Sequence, residues 1–138
     1  MSFDKKDKDA LYGILKSEIK KYRTCTFYLG FYGDFDSLCL RILKELKLTY
    51  PHIEIVFITP YLDADYQKLI YAKECFDEVI FPPLEKVPKK YAILRRNKWM
   101  VENADFLIAY VKYSWGGAAK TLEFAKQKKK KYINLPEL

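Results

Sequence analysis

The stretch Asn103-Ala-Asp-Phe-Leu-Ile-Ala-Tyr-Val-Lys-Tyr-Ser-Trp-Gly-Gly-Ala-Ala-Lys-Thr-Leu-Glu-Phe-Ala-Lys-Gln-Lys128 decides the fold. Phe106 to Val111 is apolar or aromatic throughout, the mark of a strand buried on both faces. Ser114-Trp115-Gly116-Gly117 interrupts the run, and residues 117–128 then read as a helix. Strand, glycine turn and helix in that order form half of a βαβ unit.

The same alternation extends outward in both directions. Leu11, Ile14, Leu15, Ile19 and Tyr22 place one apolar face on a helix over 7–22. Thr24 to Leu29 reads as a strand ending at Gly30. Phe35, Leu38, Cys39, Ile42, Leu43 and Leu46 mark a second helix, and Ile53 to Thr59 is a continuous apolar strand closed by Pro60. Residues 64–75 read as a helix, Asp77 to Phe81 as a short strand, and Pro88 opens a helix reaching about Asn103. Tyr132 to Leu135 is a last strand. Strands apolar on both faces, each followed by a helix, call for a Rossmann-like three-layer α/β sandwich. Its sheet would be mostly parallel, with about five strands in a single domain over 1–138.

Composition agrees. Of 138 residues half are hydrophobic, and twelve tyrosines and nine phenylalanines argue against disorder. The apolar runs are far shorter than a membrane span, and no apolar segment follows the charged N-terminus, so a cytoplasmic protein without membrane contact is expected. Cys25, Cys39 and Cys75 match no metal or redox spacing and read as reduced thiols. The lone His52 sits beside Pro51 as a loop residue, so no thiol–imidazole pair and no metal site is expected. The net charge of +7 arises from clusters at Lys16–Arg23 and Lys126–Lys131. They read either as solvated surface or as a nucleic-acid-binding face.

In open α/β sheets ligands bind beyond the C-terminal ends of the strands. The places to search are Gly30–Asp36, Thr59–Asp65, Phe81–Pro88 and Lys112–Lys120. Two of these are glycine turns leading into a helix. Gly30 and Gly33, with Asp36, form the first; Trp115, Gly116 and Gly117 form the second. Glycine admits close backbone approach, and the helix start favours an anion. Lys120 lies about one turn into the last helix, able to meet a phosphate or to remain solvated. Glu123 is a turn further on, placed to face a ribose or to pair with a neighbouring lysine; spacing favours the pair. Arg95 and Arg96 offer guanidinium groups for phosphate or carboxylate, or lie on the surface with their stems on Trp99 or Tyr91.

Arg96-Asn-Lys-Trp-Met100, Asn103-Ala-Asp105 and Gly116-Gly-Ala-Ala-Lys-Thr-Leu-Glu123 together resemble the SLOG superfamily. That group holds the LOG-type phosphoribohydrolases and the DNA-processing protein DprA. The chain is most similar to a bacterial branch of small proteins, through Phe27-Tyr-Leu-Gly30 with Gly33-Asp-Phe-Asp36, Leu84-Glu-Lys-Val-Pro-Lys89, and Ser114-Trp-Gly-Gly-Ala-Ala-Lys120. The resemblance spans about residues 10 to 135. It implies a Rossmann-like fold and a nucleotide-type ligand. It also implies Gly116 and Gly117 as a phosphate cradle, with Arg96 and Glu123 at the N-glycosidic bond of a nucleoside 5′-monophosphate. Ala119 stands where LOG enzymes carry a third glycine, Lys120 where they carry threonine, and Trp115 where they carry proline. These departures touch the hydrolase pattern and leave the anion cradle. Members of the branch usually open with a further strand ahead of the first helix; here either the start is shortened or the strand is supplied otherwise, as by a partner subunit, and a homodimer is the expectation.

Three functions are therefore expected in turn: a nucleotide-binding module needing no cofactor, an N-glycosidic hydrolase, and a DprA-like nucleic-acid-binding protein.

Overall fold

The computed structural model describes residues 3–30, 33–61 and 66–138. Phe31 and Tyr32 of the first glycine turn, and residues 62–65 of the expected search region and helix start, lie outside the described residues. The elements alternate as expected: α1 (Lys5–Lys21), β1 (Cys25–Leu29), α2 (Asp34–Thr49), β2 (Ile53–Ile58), α3 (Tyr66–Cys75), β3 (Glu78–Ile80), α4 (Lys89–Glu102), β4 (Phe106–Ala109), α5 (Gly117–Gln127) and β5 (Lys131–Asn134). Every strand pair is parallel, in the manner of a Rossmann-like α/β fold. Among the described residues the ladders fall into two sets, β1-β2-β3 and β4-β5, rather than the single expected sheet. The chain also divides into two compact units: one holds α1 to β3, the other Pro60, Tyr61 and Phe81–Leu138.

In the first unit β2 is central. All its residues but Glu54 are buried, which accounts for an apolar sequence that only Glu54 interrupts. Phe57 stacks on Phe76 with ring centroids 5.4 Å apart. Helix α1 turns Leu11, Leu15 and Ile19 inward, and its N-terminus is capped by Asp4, which accepts from the Asp7 amide at 2.8 Å. Helix α2 buries Leu38, Cys39, Leu40, Ile42, Leu43 and Leu46, following the stripe read from the sequence. Each fully buried aliphatic or aromatic side chain contributes about 1.5–3 kcal/mol through its removal from water.

Asp77 starts β3 with its side chain. The Ile55 amide donates to its Oδ2 at 2.7 Å, while the Asp77 amide donates to the Ile55 carbonyl at 2.8 Å. Lys47 Nζ donates to Oδ1 at 2.5 Å. Burial pulls this carboxyl upward, but the bonds from Lys47 and Ile55 and the charge of Lys44 outweigh it and hold it below the ordinary value. A depressed folded value stabilises the fold above the unfolded value, about 3.9, and the contribution fades as pH falls through the folded value. The group is about a third exposed, so solvent screens it. Asp77→Asn is expected to cost about 1 kcal/mol at neutral pH. Below about pH 4 the urea midpoints of wild type and variant should converge; midpoints that stay parallel would count against this role.

In the second unit β4 and β5 pair from Phe106 with Lys131 to Ala109 with Asn134. Helices α4 and α5 pack together, with Lys98 Nζ 5.4 Å from the Phe124 ring centroid. Helix α5 stops through a Schellman turn. Lys129 adopts φ 57°, its amide donates to the Lys126 carbonyl, and the Lys130 amide donates to the Ala125 carbonyl, both at 3.0 Å. Lys130 Nζ then donates to the Ala104 carbonyl at 2.9 Å, just ahead of β4. Part of the lysine run is therefore a helix stop tied to the segment just ahead of β4.

Strand β4 ends at Ala109, two residues short of the sequence reading at Val111. The reason is chemical. Val111 does pair with the β5 segment, but with a side chain: Asn134 Oδ1 accepts from the Val111 amide at 2.8 Å, and Asn134 Nδ2 donates to the Val111 carbonyl at 2.9 Å.

Candidate functional site

The expected site residues divide between the two units. In the first unit Gly30 and Gly33 lie between β1 and α2, with Asp36 in the first turn of α2; Arg95, Arg96, Trp115, Gly116, Gly117, Lys120 and Glu123 belong to the second unit.

The two glycine turns prove chemically unlike. Gly33 caps α2 in an extended conformation, φ −146° and ψ 167°, that any residue adopts. Its carbonyl accepts from the Ser37 amide and hydroxyl, both at 3.2 Å. The first turn of α2 carries Asp34 and Asp36, which already satisfy the positive end of the helix dipole and oppose a second anion. Gly30 is buried.

Gly116 instead lies at φ 96° and ψ 173°, a region essentially restricted to glycine. It caps α5 without any side-chain hydrogen bond, and the first turn of that helix holds no acidic residue. A Cβ built on Gly116 or Gly117 would meet nothing within 4 Å, so the surrounding space is open. The start of α5 is thus uncapped by any side chain, has open space at both glycines and carries no acid in its first turn, the arrangement that attracts an anion. Lys120 is exposed one turn along, and its amide donates to the Gly116 carbonyl at 3.1 Å. Thr121 Oγ1 donates to the Gly117 carbonyl at 2.9 Å and pins the same turn.

Before the glycines the chain presents two aromatic rings. Tyr113 and Trp115 stack with centroids 5.1 Å apart and planes 18° from parallel. Tyr113 is 57% exposed and Trp115 72%. Lys112 Nζ lies 5.5 Å from the Tyr110 ring. Sequence reasoning singled out Trp115 but missed Tyr113. Their alternate spacing in an otherwise loop-like segment was the available signal. It also missed Asn134, which holds Val111 at the base of this turn.

The hydrolase residues fare differently. Glu123 is exposed on α5 and makes no ion pair among the described residues, which corrects the lysine pairing expected from spacing. Arg95 is exposed on α4. Arg96 is not a surface residue: only 2% of it is accessible, and its Nε donates to Asn97 Oδ1 at 2.8 Å. Among the described residues no buried side-chain nitrogen or oxygen lacks a hydrogen-bond partner, so the buried part of Arg96 is satisfied by the protein.

Compared with known proteins, the sequence matches no family model and no curated protein.

Nucleophilic chemistry finds little support in the thiols. All three cysteines are free. Burial, with Asp36 nearby, pushes the Cys39 thiol far above its ordinary value; burial and Glu18 raise Cys25. Both stay protonated at neutral pH, and a thiol attacks as its thiolate. His52 Nε2 donates to the Ile19 carbonyl at 3.1 Å, so the imidazole ties the β2 entry to α1. Among the described residues no three His, Cys, Asp or Glu side chains converge as metal ligands. No helix among them is long and apolar enough to cross a membrane.

Proposed function

We propose that this chain is a binding module for a nucleotide or nucleotide-derived ligand, with a ligand phosphate seated on the amides that open α5. The observation that carries this reading is Gly116, held at φ 96° ahead of an uncapped helix start with no acidic residue in its first turn. Backbone amides and the helix dipole supply the attraction, and Lys120 adds a cation one turn along. The expected hydrolase pair supports binding more than cleavage. Arg96, at 2% exposure, is spent on the protein interior, whereas a group acting at a scissile bond must reach it.

Calorimetry of the full chain against nucleoside 5′-monophosphates, ADP-ribose and cyclic nucleotides tests the proposal. Saturable one-to-one binding by at least one of them is the expected result. Silence across the panel from folded protein would sink it. Chromatography of the same mixtures should detect no free base; base release abolished in Glu123→Ala would make the chain a hydrolase instead.

A further inference from the structure

We propose that Tyr113 and Trp115 form a stacking platform for the planar base of the ligand, so that the turn grips a nucleotide by its ring as well as by its phosphate. This inference rests on the reading of the α5 start as the phosphate end.

Two large aromatic side chains are held ring to ring, 5.1 Å apart and 18° from parallel, and both remain more than half exposed. Parallel stacking gives the pair a flat outer face, and the 72% exposure of Trp115 leaves a large π surface uncovered. A third planar ring extends such a stack and removes that surface from water. The platform adjoins the cradle along the chain: Trp115 directly precedes Gly116, one Cα step of about 3.8 Å away. Asn134 fixes the start of the segment through its two bonds to Val111, and Thr121 fixes its end.

A nucleotide monomer fits these features better than a nucleic-acid strand. Single strands are held along a basic groove with successive stacking residues. Among the described residues this exposed stacked pair adjoins the start of α5, while the exposed tyrosines stand elsewhere, Tyr22 just after α1, Tyr71 on α3 and Tyr91 on α4. Every base has a π face, so the platform itself discriminates weakly among bases and favours the larger purines.

The test compares nucleoside 5′-monophosphates with ribose 5-phosphate, which carries the same phosphate and sugar but no base. By calorimetry the wild-type chain is expected to bind the best monophosphate at least about tenfold tighter than ribose 5-phosphate. In Trp115→Ala that gap should close to about twofold or less through loss at the monophosphate alone, and Tyr113→Ala should fall between. Both side chains are exposed, so circular dichroism should show an unchanged fold. In a Trp99→Phe background the monophosphate should quench Trp115 fluorescence and ribose 5-phosphate should not. A gap that survives in both alanine variants, or no gap in wild type, overturns the platform while leaving phosphate binding intact. Failure of folded wild type to bind any monophosphate overturns the mononucleotide platform; silence toward ADP-ribose and the cyclic nucleotides as well overturns the proposed function. A single-stranded oligonucleotide bound more tightly than any monomer overturns the commitment to a mononucleotide.

Discussion

Asn134→Leu is expected to lower the unfolding free energy by about 3 kcal/mol. Asn134 is 4% exposed, and its amide spans three groups. It accepts from the Val111 amide at 2.8 Å, donates to the Val111 carbonyl at 2.9 Å, and donates to Glu137 Oε1 at 3.1 Å. Leucine keeps the branched outline and is the larger residue, so the cost is not a cavity. It is the desolvated amide and carbonyl of Val111, each stranded at about 1–3 kcal/mol. Urea unfolding at neutral pH reads the loss as a lower midpoint with an unchanged slope. Native-state hydrogen exchange should show the Val111 amide released first, because the segment leading to Tyr113 and Trp115 loses its anchor. Asn134→Asp separates the two bonds. It keeps the acceptor for the amide but faces the Val111 carbonyl and Glu137 with a carboxylate, so its instability should ease on acidification. A leucine variant as stable as wild type would mean that water or a shifted backbone satisfies Val111.

This amide also marks where reading the sequence stops. The elements were legible because each writes its own period: Leu11, Leu15 and Ile19 on α1, the largely apolar Ile53–Ile58 of β2, and the Phe106–Ala109 run of β4. Even the errors stayed local, such as the two residues by which β4 falls short. What escaped were long-range side-chain pairings. Asp77 with Ile55 and Asn134 with Val111 do the same work, each adding one rung to a parallel ladder with a side chain in place of a peptide. Nothing near Asn134 in the sequence names a partner so far upstream. Arg96 escaped for a related reason. Its helical position permits either face, and only packing decided that the guanidinium would be buried. The candidate turn was half legible: Gly116-Gly117 is visible as composition, but that Gly116 alone requires glycine, while Gly33 does not, is a matter of backbone angles.

Those angles set the second large effect. Gly116→Ala is expected to cost about 2 kcal/mol of stability and to abolish measurable binding of the proposed ligand. At φ 96° and ψ 173° an L side chain collides with its own backbone, even though a Cβ there would meet no other atom within 4 Å. The penalty therefore belongs to the chain itself and cannot be relieved by repacking neighbours. The variant has two escapes. It can keep the conformation and carry the strain, or it can rotate the peptide into an allowed region and turn the first amides of α5 away from the anion. Both lower the denaturation midpoint, and the second also removes the cradle. Gly117→Ala is the control that separates glycine as space from glycine as conformation. Gly117 already starts the helix, and its Cβ position is equally open. Alanine there should leave stability unchanged or raise it by up to about 1 kcal/mol, since it restricts the unfolded chain without strain. Thermal unfolding and calorimetry on the two variants side by side test the assignment. If Gly116→Ala proves as stable as Gly117→Ala, the turn does not depend on a glycine-only conformation, and the case for an anion at the start of α5 loses its foundation.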